Sequence, residues 1–388
     1  MSVYSLGQIR KIVSGKGALN ALSEIVASLN AKNAVVITDA GVFKAGLTVK
    51  AEALLKEAGC NVSVINDVPP EPSYMQVNGI YQQAKDHACD FIVAIGGGSA
   101  MDTSKLVSLM LKNDITLEDM LKGQKPTVRG VPTVMVPTTA GTGSEATPNA
   151  IVLVPEENLK VGIVTDLMIS DTVILDPEMT AGLPPRITAN TGIDALCHLM
   201  ECYISKKANP LSDTFALSGI KKVARSLRKA YQNGQDLDAR EDMLLASCFG
   251  GIAIASSSTT AIHALSYPLG GRYHIPHGLS NAILMPLVMD VNKPCCIKKY
   301  VDMAKAMELD TEGKSDEEIA DLFVKELYSL NADLEIKCDL KEKGITADIV
   351  DELVEAASKV TRLLGNNPKD LTCDEMKEIY LKLIAANQ

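Results

Sequence analysis

The sequence predicts a two-part chain, a doubly wound α/β half followed by an all-helical half, and three observations predict it. At 388 residues the chain is too long for one ordinary core, and a prior of about 150 residues per domain suggests two. Short β-branched runs recur through the first 180 residues, spaced widely enough for a crossover helix between them. Beyond "VILDPEMTAGLPPRITA" (173–189) those runs stop and helical patterning continues to the end. The boundary is placed at the Pro184–Pro185 pair, because proline drives the residue before it out of the helical region. The expected domains are therefore 1–183 and 184–388.

Taken in order, the first half offers strands in "NAVVITD" (33–39), "NVSVIND" (61–67), "FIVAIGGG" (91–98) and "VPTVMVPTT" (131–139). "LTVKAEALLKEAG" and "SYMQVNGIYQQAKDHA" supply helices between them, as a largely parallel sheet requires. The second half reads as helices from "ANTGIDALCHLMECYIS" to "CDEMKEIYLKLIAANQ".

Composition narrows the function classes. Hydrophobic residues are 46% and charged residues 22%, ordinary for a soluble globular protein, and the formal net charge is −10. A negative field disfavours nucleic acid and anionic membrane surfaces as partners. No segment approaches the ~20 apolar residues of a membrane span, and "MSVYSLGQIRKIVSGKG" has no apolar signal core, so a cytoplasmic protein is expected. Nine cysteines without a C-x-x-C pair read as scattered reduced thiols, not a disulfide framework.

Two stretches suggest a phosphate-bearing ligand. In "FIVAIGGGSAMDTSK" an apolar strand runs into Gly96, Gly97 and Gly98 and then a helix beginning with Ser99 and Asp102. Glycines there let backbone approach a ligand, and the helix N-terminus offers free N–H groups to a diphosphate. Met101 at the third position departs from the G-x-G-x-x-G fingerprint, and a tight turn with Ser99 or Asp102 as helix cap is the alternative. "VPTTAGTGSEAT" (136–147) follows the next strand with Thr138, Thr139 and Thr142, and both loops would lie outside the carboxyl ends of parallel strands. Asp39 ends the first of these strands. A carboxylate there can bind an adenosine ribose and repel a 2′-phosphate, favouring NAD over NADP; as an isolated feature it also suits a turn.

The second half holds four of the five histidines between residues 198 and 277. Asp194 and His198 stand at i and i+4, hence on one helix face amid apolar neighbours. His263 lies in a helix-like run that Pro268 and Gly270–Gly271 should interrupt, so that the chain turns back before His277. One aspartate and three histidines from two places can make a four-ligand site for iron or zinc with room for substrate. Ordinary ion pairing or core packing of the imidazoles is the other reading.

"GGGSAMDTSK", "PTTAGTGSE", "ILDPEMT", "GIDALCH" and "PHGLSNAILMP" occur in the order and approximate spacing of the iron-containing (group III) alcohol dehydrogenases, which the chain resembles nearly end to end. The resemblance implies a dehydroquinate synthase-like fold, with an N-terminal dinucleotide-binding α/β domain, an all-α C-terminal domain and the active site in the interdomain cleft. It implies Asp194, His198, His263 and His277 as metal ligands, for Fe²⁺ or, alternatively, Zn²⁺ or another divalent ion. It further implies that the glycine turn holds the cofactor's diphosphate, that Thr138, Thr139, Thr142 and Lys160 contact the cofactor, that Asp39 favours NAD, and that the protein is a homodimer or larger homo-oligomer.

One departure bears on catalysis. Many members of that family have a second histidine four residues after the third ligand, credited with relaying the alcohol proton; here it is Tyr267. A phenol titrating near 10 is a poor base at neutral pH unless its surroundings change that value. His274, three residues before His277, is the other candidate relay, and Arg272 is the one cation of the stretch.

The expected function is NAD-dependent, metal-dependent interconversion of a small alcohol and its aldehyde or ketone. Tyr267 and Arg272 motivate an alternative hydroxy-acid substrate such as 4-hydroxybutyrate. A non-redox dehydroquinate synthase-like enzyme would need cations around the metal, which "IDALCHLMECYI" and "HALSYPLGG" lack. A non-catalytic sensor would keep the binding motifs without turnover.

Overall fold

A computed structural model describes residues 3–157 and 159–387. The chain divides into two compact units, Gly7–Leu183 and a second made of Pro184–Gln388 with Met1–Leu6.

Among its described residues the first unit carries eight strands: β1 (Lys11–Ser14), β2 (Asn33–Ile37), β3 (Asn61–Ile65), β4 (Phe91–Gly96), β5 (Thr133–Pro137), β6 (Asn149–Val154), β7 (Leu159–Val164) and β8 (Thr172–Leu175). Six form one sheet in the order β1-β8-β5-β4-β2-β3, with every pairing parallel. Helices α1 (Leu22–Leu29), α2 (Ala40–Lys44), α3 (Val49–Glu57), α4 (Tyr74–Asp86), α5 (Gly98–Met110) and α6 (Leu117–Leu121) accompany it. Two buried clusters form, one around Ile92, Leu106 and Ile80, the other around Phe91, Val134 and Leu55. Adjacent residues Phe91 and Ile92 belong to different clusters because side chains alternate along a strand, so the central strands are apolar on both faces.

The strands expected from "NAVVI", "NVSVI", "FIVAIG" and "TVMVP" are present. Two features were not anticipated. β1 and β8 add to one side of the sheet, and β6 with β7 forms a separate antiparallel pair. β1 is a four-residue edge with three exposed positions, so it carries no apolar alternation to read.

The second unit is helical: α7 (Pro185–Ile204), α8 (Pro210–Gln232), α9 (Leu237–Ser256), α10 (Ala261–Tyr273), α11 (His277–Ala306), α12 (Asp316–Asp333), α13 (Val350–Ser358), α14 (Thr361–Leu364) and α15 (Cys373–Ala386). Pro185 opens α7 at its first position, where a missing N–H costs no hydrogen bond. From Gly192 to Ile204 every residue of α7 is buried, and α8, α9 and α11 pack around it. A helix buried on all sides must satisfy its own polar residues internally.

The expected break at Pro268 does not occur. α10 runs through Pro268 and both glycines to Tyr273, and His274 ends it in the left-handed conformation at φ 54°. Proline removes one helical hydrogen bond, and the buried Ile262, Leu265 and Leu269 on either side hold the helix across it. Among the described residues no single helix is long and apolar enough to cross a membrane. None of the nine cysteines is in a disulfide.

Candidate active site

In the α/β unit, the chain goes from β2 out to β3 and returns to the other side of β2 as β4, which puts the reversal of strand order between β2 and β4. Ligands of open α/β sheets bind beyond the carboxyl ends at such a reversal. Gly96, Gly97 and Gly98 leave β4 there and enter α5, whose N-terminus has no side-chain cap. The amides expected to meet a diphosphate are thus not taken by Ser99 or Asp102. Thr139 and Thr142 close on this turn: a Cβ on Gly98 would lie 3.0 Å from Thr142 and one on Gly97 3.4 Å from Thr139. Thr138 is buried, and its N–H donates to the Gly96 carbonyl at 3.0 Å.

Asp39 precedes the glycine turn by almost sixty residues, yet neighbouring strands bring it alongside. Its Oδ1 accepts from Gly41 and Val42 N–H and so caps α2, while Oδ2 lies 3.5 Å from the place of a Gly96 Cβ. Ser99 and Lys160 meet through Glu71, whose N–H donates to Ser99 Oγ at 3.2 Å and whose carboxylate accepts from Lys160 Nζ at 2.5 Å. Asp102 serves the protein itself. Its carboxylate accepts from Ser144 Oγ, from Ile151 N–H at 2.9 Å and from the buried Lys105 ammonium at 3.1 Å, so it fastens the threonine loop to α5.

Glu145, which sequence reasoning passed over, closes that same loop. It is 1% exposed, and neither carboxylate oxygen meets a donor from another residue. Burial pushes its carboxyl up to about 7, with Lys105 offsetting part of the rise.

The helical unit gathers the other polar residues. Asp194 and His198 sit one turn apart on α7, His263 is in the first turn of α10, and His277 opens α11. A side chain at Gly278 would strike the Asn190 carbonyl at 2.4 Å, so the glycine lets α11 begin against α7. One ligand atom from each of Asp194, His198, His263 and His277 lies within 4.8 Å of the others. Measured from Asp194 Oδ1, the Nε2 atoms of His277, His263 and His198 are at 3.6, 3.8 and 3.9 Å. Tetrahedral ligands at ~2.1 Å from a metal stand about 3.4 Å apart, so slight contraction brings the four onto one ion.

The surroundings fit a cation too. The partly positive amide nitrogen of Asn281 lies 2.7 Å from Asp194 Oδ1, 3.2 Å from His263 Nε2 and 3.3 Å from His277 Nε2, so acceptors converge on one region. Its buried Oδ1 meets no donor. Burial alone would raise the Asp194 carboxyl; the three imidazoles and the Asn281 amide outweigh it and hold the group below the usual carboxylate range. Three imidazoles and one carboxylate are a donor set suited to iron or zinc.

Glu201 and Asn281 were not singled out in the sequence. Glu201 is one turn beyond His198, and Asn281 one turn beyond His277, so ligand-plus-one-turn spacing was the available signal. Glu201 Oε2 accepts from His263 Nδ1. Burial would raise this carboxyl as well, but the bonds from His263 and Thr260 hold it low.

The two candidate proton carriers are placed differently. Tyr267 is mostly buried, with its ring centroid 6.4 Å from that of His277. Burial pushes its phenol above the ordinary value, against a lowering pull from Arg362. His274 is exposed at the end of α10 and outside the cluster, and Arg272 is tied to Glu352 at the surface.

An uncapped helix at a sheet reversal together with a carboxylate and three imidazoles defines a metal-dependent nucleotide-cofactor enzyme. Residues 10–177 match the iron-containing alcohol dehydrogenase family, and residues 188–384 match the C-terminal part of the Fe-containing alcohol dehydrogenase family. The chain is 38% identical over 369 residues to long-chain-alcohol dehydrogenase 1 of Geobacillus thermodenitrificans, covering 94% of this chain and 93% of that one. It is similar to the crystal structure of a 1,3-propanediol oxidoreductase, with TM-score 0.94, 32% identity and coverage of 98% and 100%. Sulfoacetaldehyde reductase from Bifidobacterium kashiwanohense, solved in complex with NAD⁺, gives TM-score 0.90 at 28% identity, with both chains covered to 100%. The chain belongs to the iron-containing alcohol dehydrogenase family and is an oxidoreductase acting on CH–OH groups.

Proposed function

We propose that the chain interconverts a small alcohol and its aldehyde or ketone, with Asp194, His198, His263 and His277 holding Fe²⁺ and NAD as hydride carrier. The observation that carries this reading is the approach of three imidazole Nε2 atoms to one Asp194 oxygen, at 3.6 to 3.9 Å. When bound, the cation supplies Lewis acidity to a hydroxyl or carbonyl oxygen and the nicotinamide exchanges hydride with the adjacent carbon.

The chain's own residues do the rest. Uncapped amides at Gly98 and Ser99 bind the diphosphate, Thr138, Thr139 and Thr142 line it, and Lys160, its charge balanced by Glu71, contacts the cofactor from beside the turn. Asp39 accepts from the adenosine ribose and repels a 2′-phosphate, so NADP is the poorer cofactor. Asp102 contributes indirectly, by fixing the threonine loop.

With its phenol held neutral, Tyr267 passes a proton by accepting one on its oxygen as it donates its own. His274, the other candidate, stands exposed at the end of α10, which favours Tyr267 in that role. Tyr267→His places an imidazole where a neutral-pH base is wanted, and we expect it to raise kcat for alcohol oxidation at pH 7; Tyr267→Phe should lower it by about 10²-fold. Equal kcat in all three proteins would remove Tyr267 from the path.

For a hydroxy-acid substrate, Arg272 is the weaker of its two supports, since Glu352 engages it. One observation still favours an anionic substrate: the charge of Arg362 reaches Tyr267 from α14, which packs on α10. We further propose a cytoplasmic homodimer or larger homo-oligomer, supported by the family membership and the lack of a membrane-length helix among the described residues.

The test is an absorbance screen at the NADH band, on protein stripped and reloaded separately with Fe²⁺ and Zn²⁺, against neutral alcohols and hydroxy acids. Metal-dependent NADH accumulation with neutral alcohols is expected. Turnover confined to hydroxy acids and lost in Arg362→Ala would establish the anionic alternative. Absence of metal-dependent turnover with every compound would overturn both.

A further inference from the structure

Near the metal cluster, Glu201 is met by donors on both of its carboxylate oxygens. It follows Asp194 by seven residues and His198 by three, so α7 presents all three on one face. Its exposure is 0%, and a buried carboxylate is tolerable only when its lone pairs are met. Oε1 accepts from Thr260 N–H at 2.9 Å, Thr260 Oγ at 2.9 Å and Ile262 N–H at 2.8 Å, with His263 N–H at 3.4 Å. Oε2 accepts from His263 Nδ1.

These donors have a common origin. Thr260 stands just before α10 and makes no side-chain cap to its own helix. The N–H groups of Thr260, Ile262 and His263 are the ones a helix start leaves without partners. Glu201 therefore caps α10 from another helix, with a full negative charge at the positive end of the helix dipole.

The cap constrains the imidazole. With Oε1 pinned by several donors, the carboxylate plane is fixed and Oε2 faces His263 Nδ1 as an acceptor only. The ring proton must then reside on Nδ1, which leaves the Nε2 lone pair directed at the region shared with Asp194 Oδ1, 3.8 Å away. Ligation through Nε2 requires that tautomer.

We propose that Glu201 is a positioning residue of the metal centre: one carboxylate caps the helix bearing His263 and sets the tautomer in which that ring meets the cation. This rests on the reading of the four-residue cluster as the metal site. Glu201→Gln separates the two duties. Its amide oxygen can still accept from Thr260 and Ile262, but its NH₂ faces Nδ1 as a donor and moves the ring proton to Nε2.

The experiment measures Zn²⁺ and Fe²⁺ dissociation constants by competition with a chromophoric chelator, and thermal midpoints of stripped and loaded protein. Glu201→Gln is expected to weaken both metals by about 10–100-fold and to narrow the gap between stripped and loaded midpoints. Thr260→Val, which removes one capping donor and leaves Oε2 alone, should lower both midpoints together with affinity unchanged. Wild-type affinity in Glu201→Gln, with both midpoints lowered equally, would make the carboxylate a cap only and overturn the proposal. Should that variant fail to fold, Glu201→Asp withdraws the acceptor from His263 while keeping its charge, and unchanged affinity there overturns the proposal equally. A wild type that binds neither metal would instead overturn the site itself, a result the wild-type titration reads without any variant.

Discussion

Glu201 in the helical unit and Glu145 in the α/β unit are the same side chain, both essentially removed from water, in opposite company. Glu201 is met by donors from Thr260, Ile262 and His263 and is held ionised. Glu145 meets no donor from another residue, and burial drives its carboxyl up to about 7. Depth of burial therefore does not decide charge; the number of aligned donors does. The helical unit uses its buried carboxylates to organise imidazoles, whereas the α/β unit carries one whose least costly partner is a proton.

The largest effect that bears on this contrast comes from the helical side. His198→Ala takes one of four converging donors and should weaken metal binding by more than the ~10–100-fold expected for outer groups, and abolish turnover. NAD titration of the same variant should be unaffected, because the glycine turn belongs to the other unit. Retained turnover would mean that the cluster organises no ion.

Next is the pH response of Glu145. Its folded value of about 7 exceeds the unfolded 4.5, so its contribution to stability is complete below 4.5 and is lost as pH rises towards 7. The loss amounts to about 3 kcal/mol. Urea unfolding of wild type against Glu145→Gln, between pH 5 and 7.5, should show the variant gaining relative stability as pH rises. Parallel curves would show that Glu145 is paired after all, and the contrast with Glu201 would vanish.

Metal removal follows. Stripping the ion with a chelator should lower stability by about 2.7 kcal/mol relative to protein at a hundredfold excess of metal over its Kd, read as a shift in the thermal midpoint. No shift would leave the convergent donors without energetic consequence. The smallest effect belongs to the glycine turn. Gly98→Ala puts a Cβ 3.0 Å from Thr142, and we expect about 1 kcal/mol weaker NAD binding by isothermal titration. Gly97→Ala, at 3.4 Å from Thr139, should cost less. The reverse order would mean that Thr142 yields more readily than its packing implies.

The sequence carried the central strands plainly, because β4 and β5 are buried on both faces and read as unbroken apolar runs. It carried Asp194 and His198 through helical spacing, and His263 and His277 through their clustering. It pointed to Asp39 as the end of a strand but not to its closeness to Gly96, which is created by strand order and not by chain distance. It misread Pro268, since a proline's local preference is overridden when a helix is packed on both sides of it. It could not show that Asp102 is consumed by Ser144 and Ile151, or that Glu201 has partners sixty residues away, because such bonds exist only once the helices and loops are in place.

The parallel sheet has a temporal consequence. β1, comprising residues 11–14, is hydrogen-bonded within that sheet only to β8, residues 172–175. As the polypeptide emerges from the ribosome, Ile12 and Val13 must wait for Val173 and Ile174 before they can pair. That closure over some 160 residues makes the sheet's outer margin a late step of assembly.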